Sequence, residues 1–91
     1  MATKTTYVMN NTLALKIKTI AANIRNNREF RNYTQEYLAF KLKISQNAYS
    51  KIELGYTKIT VERLFQIAEV LEMDIIDLLK PAELSASRAN A

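Results

Sequence analysis

The sequence contains no cysteine and no histidine. The chain therefore has no disulfide, no thiol nucleophile and no imidazole base, and it offers a metal ion only oxygen ligands. Its carboxylates do not cluster along the sequence in a way that would supply those ligands. Because most enzyme chemistries lack their usual groups here, we expect a protein that is not an enzyme and that has no metal or cofactor.

Glycine and proline are also scarce, at one each, and no apolar run approaches the roughly 18 residues of a membrane span. The N-terminus lacks the basic, apolar and cleavage-site pattern of a secretory signal. These absences predict a soluble, cytoplasmic protein without membrane contact. A chain of 91 residues, 48% of them hydrophobic, is long enough for a single domain with one modest core.

Charge is unevenly distributed along the chain. Residues 1–43 carry eight Lys and Arg against two Asp and Glu, whereas residues 44–91 carry five against seven. A basic half is typical of proteins that bind a polyanion such as nucleic acid, but solvated helix surface has the same composition. Charge alone leaves both interpretations open.

Apolar residues recur at spacings of three and four, which predicts helices and no strands. The first helix runs from a cap at Thr12 to about Glu29. Asn32 breaks the chain after it, because Asn tolerates a left-handed backbone. Four shorter helices are predicted to follow the capping residues Thr34, Ser45, Thr60 and Asp74.

The chain ends do not share this pattern. Residues 1–11 predict a flexible N-terminal arm, and residues 81–91 predict a flexible C-terminal tail because they contain few apolar residues. Residues 12–80 are predicted to form one compact, all-α domain of five helices. Such a bundle does not define a function, because function depends on the site and not on the fold.

The second and third helices, at residues 34–42 and 45–54, are joined by a connection too short for an antiparallel pair. The joint therefore requires a steep crossing of the two helices. Ala39, in the middle of the second helix, is small enough to permit close approach of the third. The shared interior is predicted to contain Leu38, Leu42, Ile44, Tyr49 and Ile52.

The segment TQEYLAFKLKISQNAYSKIELG resembles the helix-turn-helix of the Xre family, the lambda-repressor and Cro-like transcriptional regulators. The resemblance rests on Gln35, on Ala39 four residues later, on the SQ pair that opens the third helix and on the S-K-I-E-x-G pattern that ends it. It extends over residues 13–79. It implies a lambda-repressor-like bundle that binds double-stranded DNA in a sequence-specific manner, as a repressor-like homodimer.

The third helix has a polar face and an apolar face at about 100° per residue. Gln and Asn pair bidentately with adenine in the major groove, so Gln46, Asn47 and Ser50 are predicted to read bases. Without the resemblance, a solvated helix start is the favoured interpretation of the two amides. Phosphate contacts are predicted for Gln35, Lys43, Ser45, Lys51, Thr57 and Lys58.

Arg28 continues the apolar stripe of the first helix, and Glu53 borders the inward side of the third. A partly buried charge requires a partner, and the family has a paired Arg and Glu at these places. We therefore expect a bidentate ion pair that braces the recognition helix. Tyr49 stands where the family usually has a smaller aliphatic residue, and its hydroxyl is expected either at the rim of the core or on a phosphate.

The fifth helix contains more apolar residues than one core face requires, which favours a dimer. The candidates are Ile75, Ile76, Leu78 and Leu79. Within DNA binding, the family also includes antitoxins and restriction-modification controllers of this size. An alternative from another class is a protein-interaction module that has lost DNA binding and uses Phe40 and the fifth helix.

Overall fold

The computed structural model describes the backbone of residues 2–81 and the side chains of residues 12–81. This part of the chain is all-helical and contains no strands. Its elements are α1 (Ala2–Phe30), α2 (Gln35–Leu42), α3 (Gln46–Glu53), α4 (Val61–Val70) and α5 (Ile75–Leu79).

The first helix differs from its prediction at its N-terminal end. It begins at Ala2 and not at Thr12, because no Gly or Pro interrupts the chain before residue 30. Whether residues 1–11 are flexible remains a prediction. The predicted C-terminal tail lies almost entirely outside the described residues, which end at Pro81.

Side-chain caps begin the other four helices at the predicted residues. The Thr34 hydroxyl accepts a hydrogen bond from the Tyr37 N–H at 3.0 Å, which satisfies one of the free N–H groups at the start of α2. Equivalent caps are provided by Ser45, Thr60 and Asp74. Left-handed residues then end or separate the helices at Asn32, Lys43, Gly55 and Glu72.

The core lies where α2 packs on α3, with α1 against α3, α4 against α2, and α5 against α1 and α4. Ala39 is buried at the centre of this packing, as its size predicts. The largest buried apolar side chains are Ile24, Leu38, Tyr49, Ile67, Leu71 and Leu78. None of the helices among the described residues is long and apolar enough to cross a lipid bilayer.

Asn23 attaches the last helix to the first. Its side chain is fully buried, and its Nδ2 donates hydrogen bonds to the carbonyl oxygens of Leu78 at 2.9 Å and Lys80 at 2.8 Å. These carbonyls belong to the C-terminal end of α5, where backbone acceptors have no partner within the helix. The apolar spacing of α1 did not predict this contact, because Asn23 is polar and is not one of the apolar residues that define the buried face of the helix.

Candidate nucleic-acid interface

The polar face of α3 is exposed at the end where the helix begins. Gln46 and Asn47 are its first two residues, and neither side chain has a hydrogen-bond partner among the described residues. Ser45, just before them, caps the helix by accepting a hydrogen bond from the Ala48 N–H at 3.0 Å. Ser50 is half-buried, whereas Lys51 is exposed. Two free amides therefore stand at the start of a short helix whose other side is packed in the core.

A buried ion pair holds that other side in place. Nε of Arg28 donates to Oε2 of Glu53 at 2.6 Å, and Nη2 donates to Oε1 at 3.1 Å. The third guanidinium nitrogen, Nη1, donates to the Tyr33 carbonyl oxygen at 2.8 Å. The fork geometry of the arginine guanidinium matches that of the carboxylate, so two parallel hydrogen bonds join α1 to α3.

The carboxylate of Glu53 is ionised in the folded protein. Its burial acts to raise the pKa, but hydrogen bonds from Arg28, Tyr49 and Gln35 outweigh burial and hold the pKa below its usual value. The hydrogen bond to Glu53 correspondingly raises the pKa of Arg28. The pair is therefore charged on both sides at neutral pH.

Tyr49 is a core residue, and its hydroxyl lies at neither of the two expected places. The side chain has no exposed surface, and the hydroxyl donates to Oε2 of Glu53 at 2.5 Å inside the bundle. A phosphate contact by this hydroxyl is therefore wrong, because no DNA atom can reach it. Burial, together with the hydrogen bond to Glu53, raises the pKa of Tyr49 far above its usual value, so the phenol stays protonated as the donor.

Gln35 occupies the first position of α2 and is half-buried. Its Nε2 donates to Oε1 of Glu53 at 3.1 Å, so a residue predicted to contact phosphate is also bonded to the buried ion pair. The sequence did not indicate this link, because the two residues lie on different helices and meet only after α2 and α3 cross.

A basic cleft of about 340 Å³ opens beside α3, between this helix and the loop that leads to α4. It brings together five of the predicted phosphate or base contacts with one cation that the sequence did not indicate. The cleft is lined by polar residues Ser45, Asn47, Lys51, Thr57, Lys58, Thr60 and Arg63, with apolar residues beneath them and no carboxylate.

Arg63 is the cation that was missed, since it lies on α4, whereas contacts were predicted only for the helix-turn-helix and the loop that follows it. Its Nη1 donates to the side-chain oxygen of Gln66 at 2.9 Å and to the Leu42 carbonyl oxygen at 3.4 Å. No acidic side chain among the described residues pairs with it. Its charge is therefore available to an anion in the cleft.

The family model of the helix-turn-helix matches residues 24–78, from the second half of α1 into α5. The chain belongs to the Cro/C1-type, Xre-like helix-turn-helix family. The match covers more than half of the sequence and includes both helices of the motif. Members of this family bind double-stranded DNA, and the chain is accordingly not an enzyme.

A solved structure with the same fold is the clp gene regulator ClgR from Corynebacterium glutamicum. The two structures align with a TM-score of 0.67 and 22% sequence identity, over 80% of this chain and 74% of that one. At this level of identity the likeness shows the fold alone. No curated protein matches the sequence.

The turn of this helix-turn-helix is built on Lys43, which has a left-handed backbone with φ 60° and ψ 42°. Its backbone N–H donates to the Ala39 and Phe40 carbonyl oxygens, which closes α2. Glycine adopts this conformation without a steric penalty, whereas a residue with a Cβ is strained by about 1 kcal/mol. The side chain of Lys43 is exposed, on the stretch that leads into α3.

The four dimerisation candidates in α5 have different environments. Leu78 is completely buried in the core of its own chain, so it is not available to a partner. Ile75 is half-buried and packs against the same core. Ile76 and Leu79 remain exposed, at 60% and 48%, and they share one face of α5 because they are three residues apart.

Proposed function

We propose that this protein is a sequence-specific transcriptional regulator that inserts α3 into the major groove of double-stranded DNA. The observation that supports it best is the pair of free amides, Gln46 and Asn47, on a helix whose opposite side is fixed by the Arg28–Glu53 ion pair. A rigid helix allows its polar side chains to discriminate base edges, and each bidentate pair is worth about 1–3 kcal/mol. Ser50 is the third base contact in this proposal.

Phosphate contacts on both sides of α3 orient the protein on the duplex. The basic cleft supplies Lys51, Thr57, Lys58 and Arg63, and the absence of any carboxylate in its lining favours an anion there. The remaining proposed contacts are Gln35, Lys43 and Ser45. Because the four cations of this set, Lys43, Lys51, Lys58 and Arg63, would release counterions from the DNA phosphates that they neutralise, affinity should fall steeply with salt.

The active form in this proposal is a homodimer that joins through Ile76 and Leu79 of α5. Two copies related by a two-fold axis read two half-sites about one helical turn, or roughly 34 Å, apart. A dimer that occupies its operator excludes other proteins from that stretch of DNA, which is the mode of a repressor. A protein that acts on DNA in this way works in the cytoplasm.

In-vitro selection from randomised duplex DNA tests the base-reading assignment. The wild type should enrich a two-fold symmetric motif, and Gln46→Ala should lose preference at one position of each half-site. Asn26→Ala is the matched control, because Asn26 is an exposed amide on α1 without a hydrogen-bonded partner among the described residues. It should select the wild-type motif.

A motif that survives Gln46→Ala unchanged would contradict base reading by α3. Selection of no motif by the wild type would favour the protein-interaction module. Phe40 is the relevant residue for that alternative, because it is a large apolar residue that is 78% exposed. A selected motif can belong equally to an antitoxin or a restriction-modification controller. The neighbouring genes distinguish these two from a simple repressor.

A further inference from the structure

The buried carboxylate of Glu53 accepts hydrogen bonds from all three helices of the site. Oε2 accepts from Arg28 Nε and from the Tyr49 hydroxyl, while Oε1 accepts from Arg28 Nη2 and from Gln35 Nε2. An ionised carboxylate has about four acceptor positions, so these four donors saturate it. Gln35 is the one donor of the set that also lies at the surface from which α3 projects.

The charge on Glu53 determines which way the Gln35 amide points. A carboxylate only accepts hydrogen bonds, so the amide must turn its nitrogen toward Oε1 and its carbonyl oxygen away. One of the two Nε2 hydrogens is then used, at 3.1 Å from Oε1, and the second has no partner among the described residues. Because Arg28 keeps Glu53 ionised, the ion pair fixes the orientation of the amide as well as the position of α3.

We propose that Glu53 is a positioning residue for DNA binding, which orients the Gln35 amide so that its second N–H is presented to a backbone phosphate. This inference rests on the proposed function. Glu53 itself touches no DNA and acts through Gln35. The same carboxylate accepts hydrogen bonds from Arg28 and Tyr49. The Gln35 amide at the start of α2 is therefore held at a fixed distance and orientation from the base-reading end of α3.

An amide that is already oriented loses less conformational freedom when the DNA arrives. Immobilising one flexible side chain in advance corresponds to an affinity gain of about two- to tenfold. The salt dependence of binding should not change, because a neutral amide releases no counterion when it contacts a phosphate. These two features distinguish the Gln35 contact from the lysine and arginine contacts.

A double-mutant cycle on the affinity for a selected operator tests the inference. Gln35→Ala and Glu53→Gln should each weaken binding by about two- to tenfold with an unchanged salt slope, and the double variant should be no weaker than Gln35→Ala alone. Each variant is assayed below its own unfolding transition. If Glu53→Gln weakens binding equally in both backgrounds, its role is only structural and the inference is wrong.

Tyr49→Phe is the control for lost stability, because it removes a donor from Oε2 and leaves the Oε1 contact with Gln35 intact. Once folded, it should bind the operator within about twofold of the wild type. A loss as large as that of Glu53→Gln would contradict the inference, since it would show that any damage to the buried cluster weakens binding.

A second measurement covers the case in which Glu53→Gln does not fold. In wild-type protein, the two side-chain amide protons of Gln35 should differ in their exchange with water by more than those of the free Gln46 amide, since only one of them is bonded to Glu53. Adding operator DNA should change the chemical shift of the second proton and slow its exchange with water. Gln35 amide protons that exchange in the free protein like those of Gln46, or a second proton that does not shift when operator binds, would each overturn the inference. A wild type that selects no DNA would instead overturn the proposed function, and the inference with it, even if the free-protein spectrum shows the pair.

Discussion

The hydroxyl of Tyr49 donates a hydrogen bond to Oε2 of Glu53, at 2.5 Å, in the interior of the bundle. Both residues lie on α3, four positions apart, so the contact forms along one side of the helix. It places a polar group in the core without leaving it unsatisfied, and it adds a donor to a carboxylate that already binds Arg28. The packed side of α3 is therefore held by both apolar and ionic contacts.

Removing this hydroxyl should destabilise the fold. Tyr49→Phe leaves the ring in place but deletes one hydrogen bond to a charged group, which costs about 2 kcal/mol of unfolding free energy. Urea denaturation measures the loss. Tyr56→Phe is the control, because Tyr56 is 78% exposed and should change stability by less than about 0.5 kcal/mol. Equal effects of the two substitutions would show that the Tyr49 contact contributes nothing.

The ion pair should make stability depend on pH on the acid side. Because the pKa of Glu53 is lower in the folded state than its unfolded value of about 4.3, the carboxylate stabilises the fold fully above that value. The contribution is lost as pH falls through the folded pKa. The difference in unfolding free energy between wild type and Glu53→Gln should therefore be constant near neutral pH and shrink below about pH 4.3. A difference that grows in acid would contradict the assignment.

Asn23 should be needed for the attachment of α5. Asn23→Ala leaves the Leu78 and Lys80 carbonyl oxygens without their donor, and we expect a loss of about 2–3 kcal/mol in thermal or urea unfolding. Asn26→Ala is the matched control on the exposed side of α1, where alanine is the better helix former and stability should be unchanged or slightly higher. If Asn23→Ala is as stable as Asn26→Ala, the proposed role of Asn23 is wrong.

Replacing Lys43 by glycine should stabilise the turn. The left-handed backbone at φ 60° is relieved when the Cβ is removed, so Lys43→Gly should gain about 1 kcal/mol. The same substitution at Lys41, inside α2, should cost about 1 kcal/mol because glycine disfavours the helix. Lys43→Gly also removes a proposed phosphate contact. In that variant the slope of log affinity for DNA against log salt concentration should decrease in magnitude by about 0.9. Lower stability for Lys43→Gly would contradict the strain.

The oligomeric state should depend on the exposed face of α5. Ile76→Glu places a charge on the proposed contact and should convert a dimer to a folded monomer, as measured by sedimentation equilibrium. Val61→Glu, on α4, is the control because its side chain is equally apolar and 67% exposed. A wild-type monomer at the concentrations of DNA binding, or a dimer that survives Ile76→Glu, would contradict dimerisation through this face.

Several features of this fold could be predicted because they depend on residues that are close in the chain. Caps at Thr34 and Ser45 bond to N–H groups three residues later, so the side chain and its partner are both visible in the sequence. The pairing of Arg28 with Glu53 was expected only because the family pattern supplied it. The N-terminal boundary of α1 was missed, since a helix without Gly or Pro has no local signal that must end it.

Local spacing in the sequence by itself determined the four capped helices and the polar face of α3, because each depends on residues within about two helical turns. Only the tertiary structure decided where the Tyr49 hydroxyl, the Gln35 amide and the Asn23 amide find their partners. A buried polar group takes the nearest complementary atom in space. Which atom that is depends on how the helices pack, and for Gln35 and Asn23 it lies on another helix.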